Sequence, residues 1–169
     1  LNRSAERMCL PPVDADALCR GIVELLRADA AEAPPPPGAL YVRPLYFADE
    51  GKLGYATPAS ATLTVMLVPV AALFRGPGVR LRTETTYVRA APGGTGSAKC
   101  AGNYAGAMLA QKNARSAGFD EVLWLDARER RWIEEAGGMN VMFVRGGALS
   151  TPPLTDTILP GVTRDTLLV

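Results

Sequence analysis

Lys99 has the most pointed chemical setting in this chain. It follows Pro92-Gly-Gly-Thr-Gly-Ser-Ala98 and precedes Cys100-Ala-Gly-Asn-Tyr104. A lysine amine becomes a nucleophile when desolvation or a neighbouring cation lowers its pKa. A buried lysine between a glycine-rich loop and a helix start meets that condition; a solvated loop lysine does not. Glu134 and Glu135 stand in the run Trp132-Ile-Glu-Glu-Ala136, ahead of Gly137-Gly138. Adjacent residues of a strand face opposite sides. One glutamate then faces solvent, while the other points inward and needs a partner such as a protonated heterocycle nitrogen. The alternative is two exposed carboxylates answering Arg128, Arg130 and Arg131. Leu159-Pro-Gly-Val-Thr163 leads into a helix start, where unpaired amides and the Thr163 hydroxyl suit an anion; many helix starts hold only water or their own cap. Tyr41 and Arg43, at i and i+2 of a strand, share a face. They form either a carboxylate clamp or an exposed surface pair.

Together these residues supply an amine, a carboxylate, an anion cradle and a carboxylate clamp. A pyridoxal-phosphate enzyme needs such a set: a Schiff-base lysine, a partner for the pyridine nitrogen and a phosphate site. The composition removes competing mechanisms. The 169 residues contain no His. A Ser-His-Asp or Cys-His relay and a zinc site of the His type are therefore excluded within this chain, and no metal is expected. The 18 basic residues are 15 Arg and only three Lys, at 52, 99 and 112, so amine chemistry has few candidates. A net charge of +1 gives no electrostatic reason to expect nucleic acid or an anionic membrane. Cys9, Cys19 and Cys100 are odd in number and lack CxxC spacing, which fits free thiols in a reducing, cytoplasmic setting. The longest apolar run, Val65 to Phe74, contains Pro69 and is too short to span a bilayer.

The elements that must position these residues follow from patterning. Asp14 is the expected N-cap of a helix with Leu18, Ile22, Leu25 and Leu26 on one stripe. That helix ends before Pro34-Pro-Pro-Pro37, an expected extended polyproline linker. Strands are expected at Ala39–Phe47, Leu53–Ala56, Ala61–Val68, Val79–Ala90, Glu121–Asp126, Trp132–Ala136 and Met139–Val144. A helix is expected from Asn103 or Tyr104 to a stop at Gly118, and another from Thr163. The fold class is α+β, with mixed sheets.

The sequence also resembles the branched-chain amino acid aminotransferases, which are fold-type IV pyridoxal-phosphate enzymes of aminotransferase class IV. The residues that carry this are Tyr87-Val-Arg-Ala-Ala-Pro-Gly-Gly-Thr-Gly96, Lys99-Cys-Ala-Gly-Asn-Tyr104, Val122-Leu-Trp-Leu-Asp126, Glu134-Glu-Ala-Gly-Gly-Met-Asn140 and Thr151-Pro-Pro-Leu-Thr-Asp-Thr-Ile-Leu-Pro-Gly-Val-Thr-Arg164. The resemblance implies a two-domain architecture that this chain covers only in part. Residues 1–72 would belong to the small domain, 73–85 to a linker and 86–169 to the large cofactor-binding domain. It implies that Lys99 carries the pyridoxal 5'-phosphate and moves the proton, that Tyr104 hydrogen-bonds the cofactor phenolate and that Glu135 pairs with its ring nitrogen. Val162 and Thr163 would bind phosphate. Tyr41, Arg43 and Gly138 would lie on the substrate side, and Tyr55 on a loop reaching the partner subunit of a homodimer. Ala101 departs from the family, which usually has glycine there. The chain looks truncated at both ends: the family's phosphate-binding arginine would fall upstream of Leu1, and a further segment beyond Val169. The implied reaction is transamination of Leu, Ile or Val with 2-oxoglutarate. The alternatives are a D-amino acid aminotransferase, an aminodeoxychorismate lyase, or an inactive fragment or scaffold.

Overall fold

A computed structural model describes residues 1–54, 56–71 and 78–169. The chain forms two compact units, Leu1–Pro77 and Gly78–Val169.

The first unit opens with a short helix, α1 (Asn2–Arg7), which the sequence reading did not anticipate. Asn2 fixes it by exchanging two 2.9 Å hydrogen bonds with the Val13 backbone. Helix α2 (Ala15–Ala28) begins as expected: the Asp14 carboxylate accepts from Asp16 N and Ala17 N. Leu18, Ile22, Leu25 and Leu26 are its partly buried residues, so the stripe faces the unit's interior. The prolines do not run on as an extended segment. Gly38 N donates to Pro35 O at 2.9 Å and closes them into a turn. The chain then enters β1 (Ala39–Ala48), which pairs antiparallel with β2 (Ala61–Val70) in unbroken register from Ala39↔Val70 to Ala48↔Ala61. Leu53, Gly54 and Ala56 are not in a strand; Tyr55 lies outside the described residues. Asp49 and Glu50 organise this loop instead. Asp49 accepts from the Ser60 and Thr62 hydroxyls, and Glu50 from Ala59 N.

The second unit carries a β-α-β step: β3 (Leu81–Glu84), α3 (Ala101–Ser116) and β4 (Glu121–Leu125), with β3 and β4 parallel. Antiparallel β5 (Ile133–Ala136) and β6 (Met139–Asn140) extend the sheet in the order β3-β4-β5-β6. The core lies where Ala107, Ala110 and Ala114 of α3 meet Val122 and Trp124 of β4. Three alanines on one face let the helix approach the sheet closely, so the fully buried Trp124 fills the space between them. Helix α3 stops as expected at Gly118, whose φ of +82° suits a residue without Cβ.

Three expected strands are shorter than the pattern suggests. The run Val79–Ala90 is a strand only at Leu81–Glu84, because the buried Glu84 carboxylate accepts from Thr86 N and Tyr87 N and turns the chain. At Asp126 the carboxylate accepts from the backbone N–H groups of Arg128, Glu129, Arg131 and Trp132, which ends β4 at Leu125. The run Met139–Val144 splits after Asn140. Its second part, β7 (Phe143–Arg145), pairs with β8 (Ala148–Ser150) through Gly146-Gly147, both at positive φ. Such a two-glycine connection matches the twist of a hairpin. Helix α4 (Val162–Leu167) ends the described chain.

Candidate active site

The glycine-rich loop before α3 is rigid rather than slack. Ser97 N donates to Asp156 O at 2.9 Å, and Gly93 N to the Asp156 carboxylate at 2.5 Å. A Cβ on Gly96 would fall 2.5 Å from Thr157 O and 2.6 Å from Ala90 Cβ, so the loop and residues 156–157 approach too closely for any side chain there. Asn103 reaches back from the first turn of α3. Its amide donates to Thr95 O and Ala98 O, both at 2.8 Å. These contacts begin the helix at Ala101, two residues ahead of the expected start, and hold the peptide that carries Lys99.

Lys99 is exposed, not buried as the desolvation argument would have it. Its Nζ lies 5.5 Å from the centroid of the Tyr104 ring. It stands on the rim of a solvent-open cleft shared with Arg89, Asn103, Tyr104, Glu135 and Gly138. A Cβ on Gly138 would sit 3.7 Å from Tyr104 Cε1, so this glycine borders the phenol directly.

Both glutamates are buried: Glu135 is 2% exposed and Glu134 9%. The expectation of one solvated neighbour is therefore corrected. Strand β5 has neighbours on both edges, and residues 155–158 cover the side that Glu134 faces. Thr157 Oγ1 donates to Glu134 Oε1 at 2.6 Å, while Oε2 has no hydrogen-bond partner among the described residues. Of the nearby arginines, Arg130 donates to Tyr87 O and Arg131 lies over the Trp132 ring.

Arg89 is the counter-ion that sequence reasoning missed. Its side chain is 9% exposed, with Nε 2.6 Å from Glu135 Oε2. Nη2 donates to Gly96 O at 3.2 Å and also to Thr157 O. The available signal was an arginine between a strand and a glycine-rich loop, where the one carboxylate close in sequence, Glu84, is taken up by backbone N–H groups. On its other oxygen, Glu135 Oε1 accepts from Asn140 Nδ2 at 3.1 Å and Leu159 N at 3.2 Å. Burial pushes the Glu135 carboxyl above its usual range, and Arg89 opposes that shift.

The remaining expected residues are distributed as follows. Val162 and Thr163 open α4; both are exposed, and neither lines the cleft. Tyr41 and Arg43 share one face of β1 in the first unit, with the Arg43 guanidinium 4.8 Å above the Tyr41 ring. Tyr55 lies outside the described residues. Within the second unit the fold thus brings Lys99, Tyr104, Glu135 and Gly138 to one cleft.

An amine, a phenol and a buried carboxylate beside an arginine suit a protonated heteroaromatic ring bearing a carbonyl. Glu135 Oε2 faces the Arg89 guanidinium and, with a second lone pair, keeps capacity for a ring N–H. The comparisons agree with this set of groups. The family model for amino-transferase class IV matches residues 1–169. The chain belongs to the class IV aminotransferases. It is 43% identical over 168 residues to branched-chain-amino-acid transaminase 1 of Bacillus subtilis, covering 97% of this chain and 47% of that protein. It is 44% identical over 176 residues to the branched-chain-amino-acid aminotransferase of Mycobacterium tuberculosis, covering 99% and 48%. Among solved structures, the branched-chain aminotransferase of Thermoproteus uzoniensis with norvaline superposes with a TM-score of 0.86 at 30% identity, over 98% of this chain and 54% of that one. The T.th. branched-chain amino acid aminotransferase complexed with N-(5'-phosphopyridoxyl)-L-glutamate gives 0.82 at 29% identity, over 98% and 53%. This class IV chain spans about half the length of the relatives it matches.

Proposed function

We propose that the protein containing this chain is a pyridoxal 5'-phosphate-dependent aminotransferase of branched-chain L-amino acids, passing the amino group of Leu, Ile or Val to 2-oxoglutarate. The observation that carries this reading is the convergence of Lys99, Tyr104 and Glu135 on one cleft. When bound, the cofactor supplies an electron sink for the substrate's Cα carbanion. The chain's own groups supply the rest. The Lys99 amine would hold the cofactor covalently and carry the proton at the substrate's Cα. The loop that bears it is anchored by Asn103 and Asp156. The Tyr104 phenol hydrogen-bonds the ring oxygen. Glu135, held beside Arg89, stabilises the proton on the ring nitrogen.

In this reading Val162 and Thr163 bind the phosphate with their amides and the Thr163 hydroxyl. Tyr41, Arg43 and Gly138 meet the substrate, and Tyr55 reaches the partner in a homodimer. Residues 1–72 belong to the small domain, 73–85 to the linker and 86–169 to the large domain. No helix of the described residues is long and apolar enough to cross a membrane; with the exposed thiols of Cys9 and Cys19, we place the enzyme in the cytoplasm.

The test is a substrate panel on the full-length protein with cofactor. L-Leu, L-Ile and L-Val should each yield glutamate from 2-oxoglutarate. Turnover of D-Ala with none of the branched L-amino acids would assign a different class IV enzyme.

A further inference from the structure

We propose that Asn140 is a positioning residue for Glu135, fixing which carboxylate oxygen is presented to the ring nitrogen of the cofactor. The inference deepens the cofactor reading above and rests on it. Asn140 ends β6, directly across from Glu135 in the β5–β6 register. Its amide nitrogen donates to Glu135 Oε1 at 3.1 Å and to Leu159 O at 2.8 Å. Both amide hydrogens are thereby used. Leu159 N returns a third hydrogen bond, to the same Oε1, at 3.2 Å. Asn140 and Leu159 therefore form a closed polar ring with one oxygen of Glu135.

This ring matters because the terminal torsion of a glutamate is broad and roughly two-fold. A carboxylate facing one arginine and an open cleft would rock between its two oxygens. Two donors on Oε1 remove that freedom. They leave Oε2, with Arg89 Nε at 2.6 Å, for a single directional N–H donor. The fold makes room for the device. A Cβ on Gly161 would fall 2.2 Å from Asn140 Oδ1, so only glycine at 161 leaves the amide in place.

The test compares the affinity of full-length protein for pyridoxal 5'-phosphate and for its 1-deaza analogue, in which a CH replaces the ring nitrogen. Both are followed by absorbance titration. The wild type should prefer the natural cofactor. In Asn140→Ala that preference should fall about tenfold, the usual cost of losing an orienting partner. Asn140→Asp keeps the shape and sets a second carboxylate beside Oε1, so it should lower the preference at least as far. If Asn140→Ala does not fold, the Asp variant carries the test alone. Affinity for both ligands falling equally, with the preference unchanged, would make Asn140 merely structural and overturn the inference. A wild type with no saturable band for either ligand would instead overturn the cofactor reading, and this inference with it.

Discussion

Glu135 is buried at 2% exposure, and its behaviour follows from the contest between that burial and Arg89. Burial wins and holds its carboxyl above the usual range. A carboxyl whose folded pKa exceeds its unfolded value favours the fold fully at pH below the unfolded value. That contribution is lost as pH rises through the folded value. The cofactor-free wild type should therefore lose thermal stability relative to Glu135→Gln as pH climbs above the ordinary carboxylate range. Melting curves that stay parallel across that range would contradict the burial argument. Arg89→Ala leaves this carboxylate buried without its cation. The expected cost is about 3–5 kcal/mol, read by urea unfolding. A loss below about 1 kcal/mol, the level of an exposed ion pair, would show that the pair is not desolvated. Lys99, Tyr104 and Glu135 were legible in the sequence because their motifs are long and ordered. Arg89 was not, because its carboxylate partner stands 46 positions later and only the β3–β4–β5 sheet brings the two together.

At the scale of elements, the site is a glycine-rich loop pinned between the start of α3 and the 155–158 segment. Gly96 is the tightest point of that clamp. Gly96→Ala should cost about 1–3 kcal/mol by forcing backbone apart, seen as a lowered melting temperature. Asn103→Ala, which removes the side-chain donor to Thr95 O and Ala98 O, should cost a similar amount. An unchanged melting temperature in both variants would mean that the loop is not held as described. Helices α2 and α3, with a capping aspartate and a terminal glycine, were readable from local chemistry, as were the strands β1 and β2, though not their pairing. The strands at Val79–Ala90 and Met139–Val144 were misjudged for one physical reason. Apolar alternation continues past the point where the pairing stops: at Glu84 the carboxylate takes the next backbone N–H groups, and after Asn140 the chain leaves β5 and pairs anew as the β7–β8 hairpin. The Gly146-Gly147 hairpin carried a legible turn signal that the reading passed over.

At the scale of the molecule, the two units Leu1–Pro77 and Gly78–Val169 divide the expected chemistry. The pair Tyr41 and Arg43, proposed for the substrate side, lies in one, and the cleft proposed for the cofactor in the other. The absence of histidine suits the proposed role of Lys99 as proton carrier. The homodimer proposed for the full-length protein should sediment at twice the monomer mass; a monomer at micromolar concentration would contradict it. The most direct test of the account uses the scarcity of lysine. Full-length protein is mixed with pyridoxal 5'-phosphate, treated with borohydride to fix any lysine adduct, and digested for peptide mass mapping. Among Lys52, Lys99 and Lys112, the pyridoxyl group should sit on Lys99 at close to one per chain, and Lys99→Ala should take up none. Stable modification at Lys52 or Lys112 in place of Lys99, or none at any of the three, would contradict the assignment of the cleft.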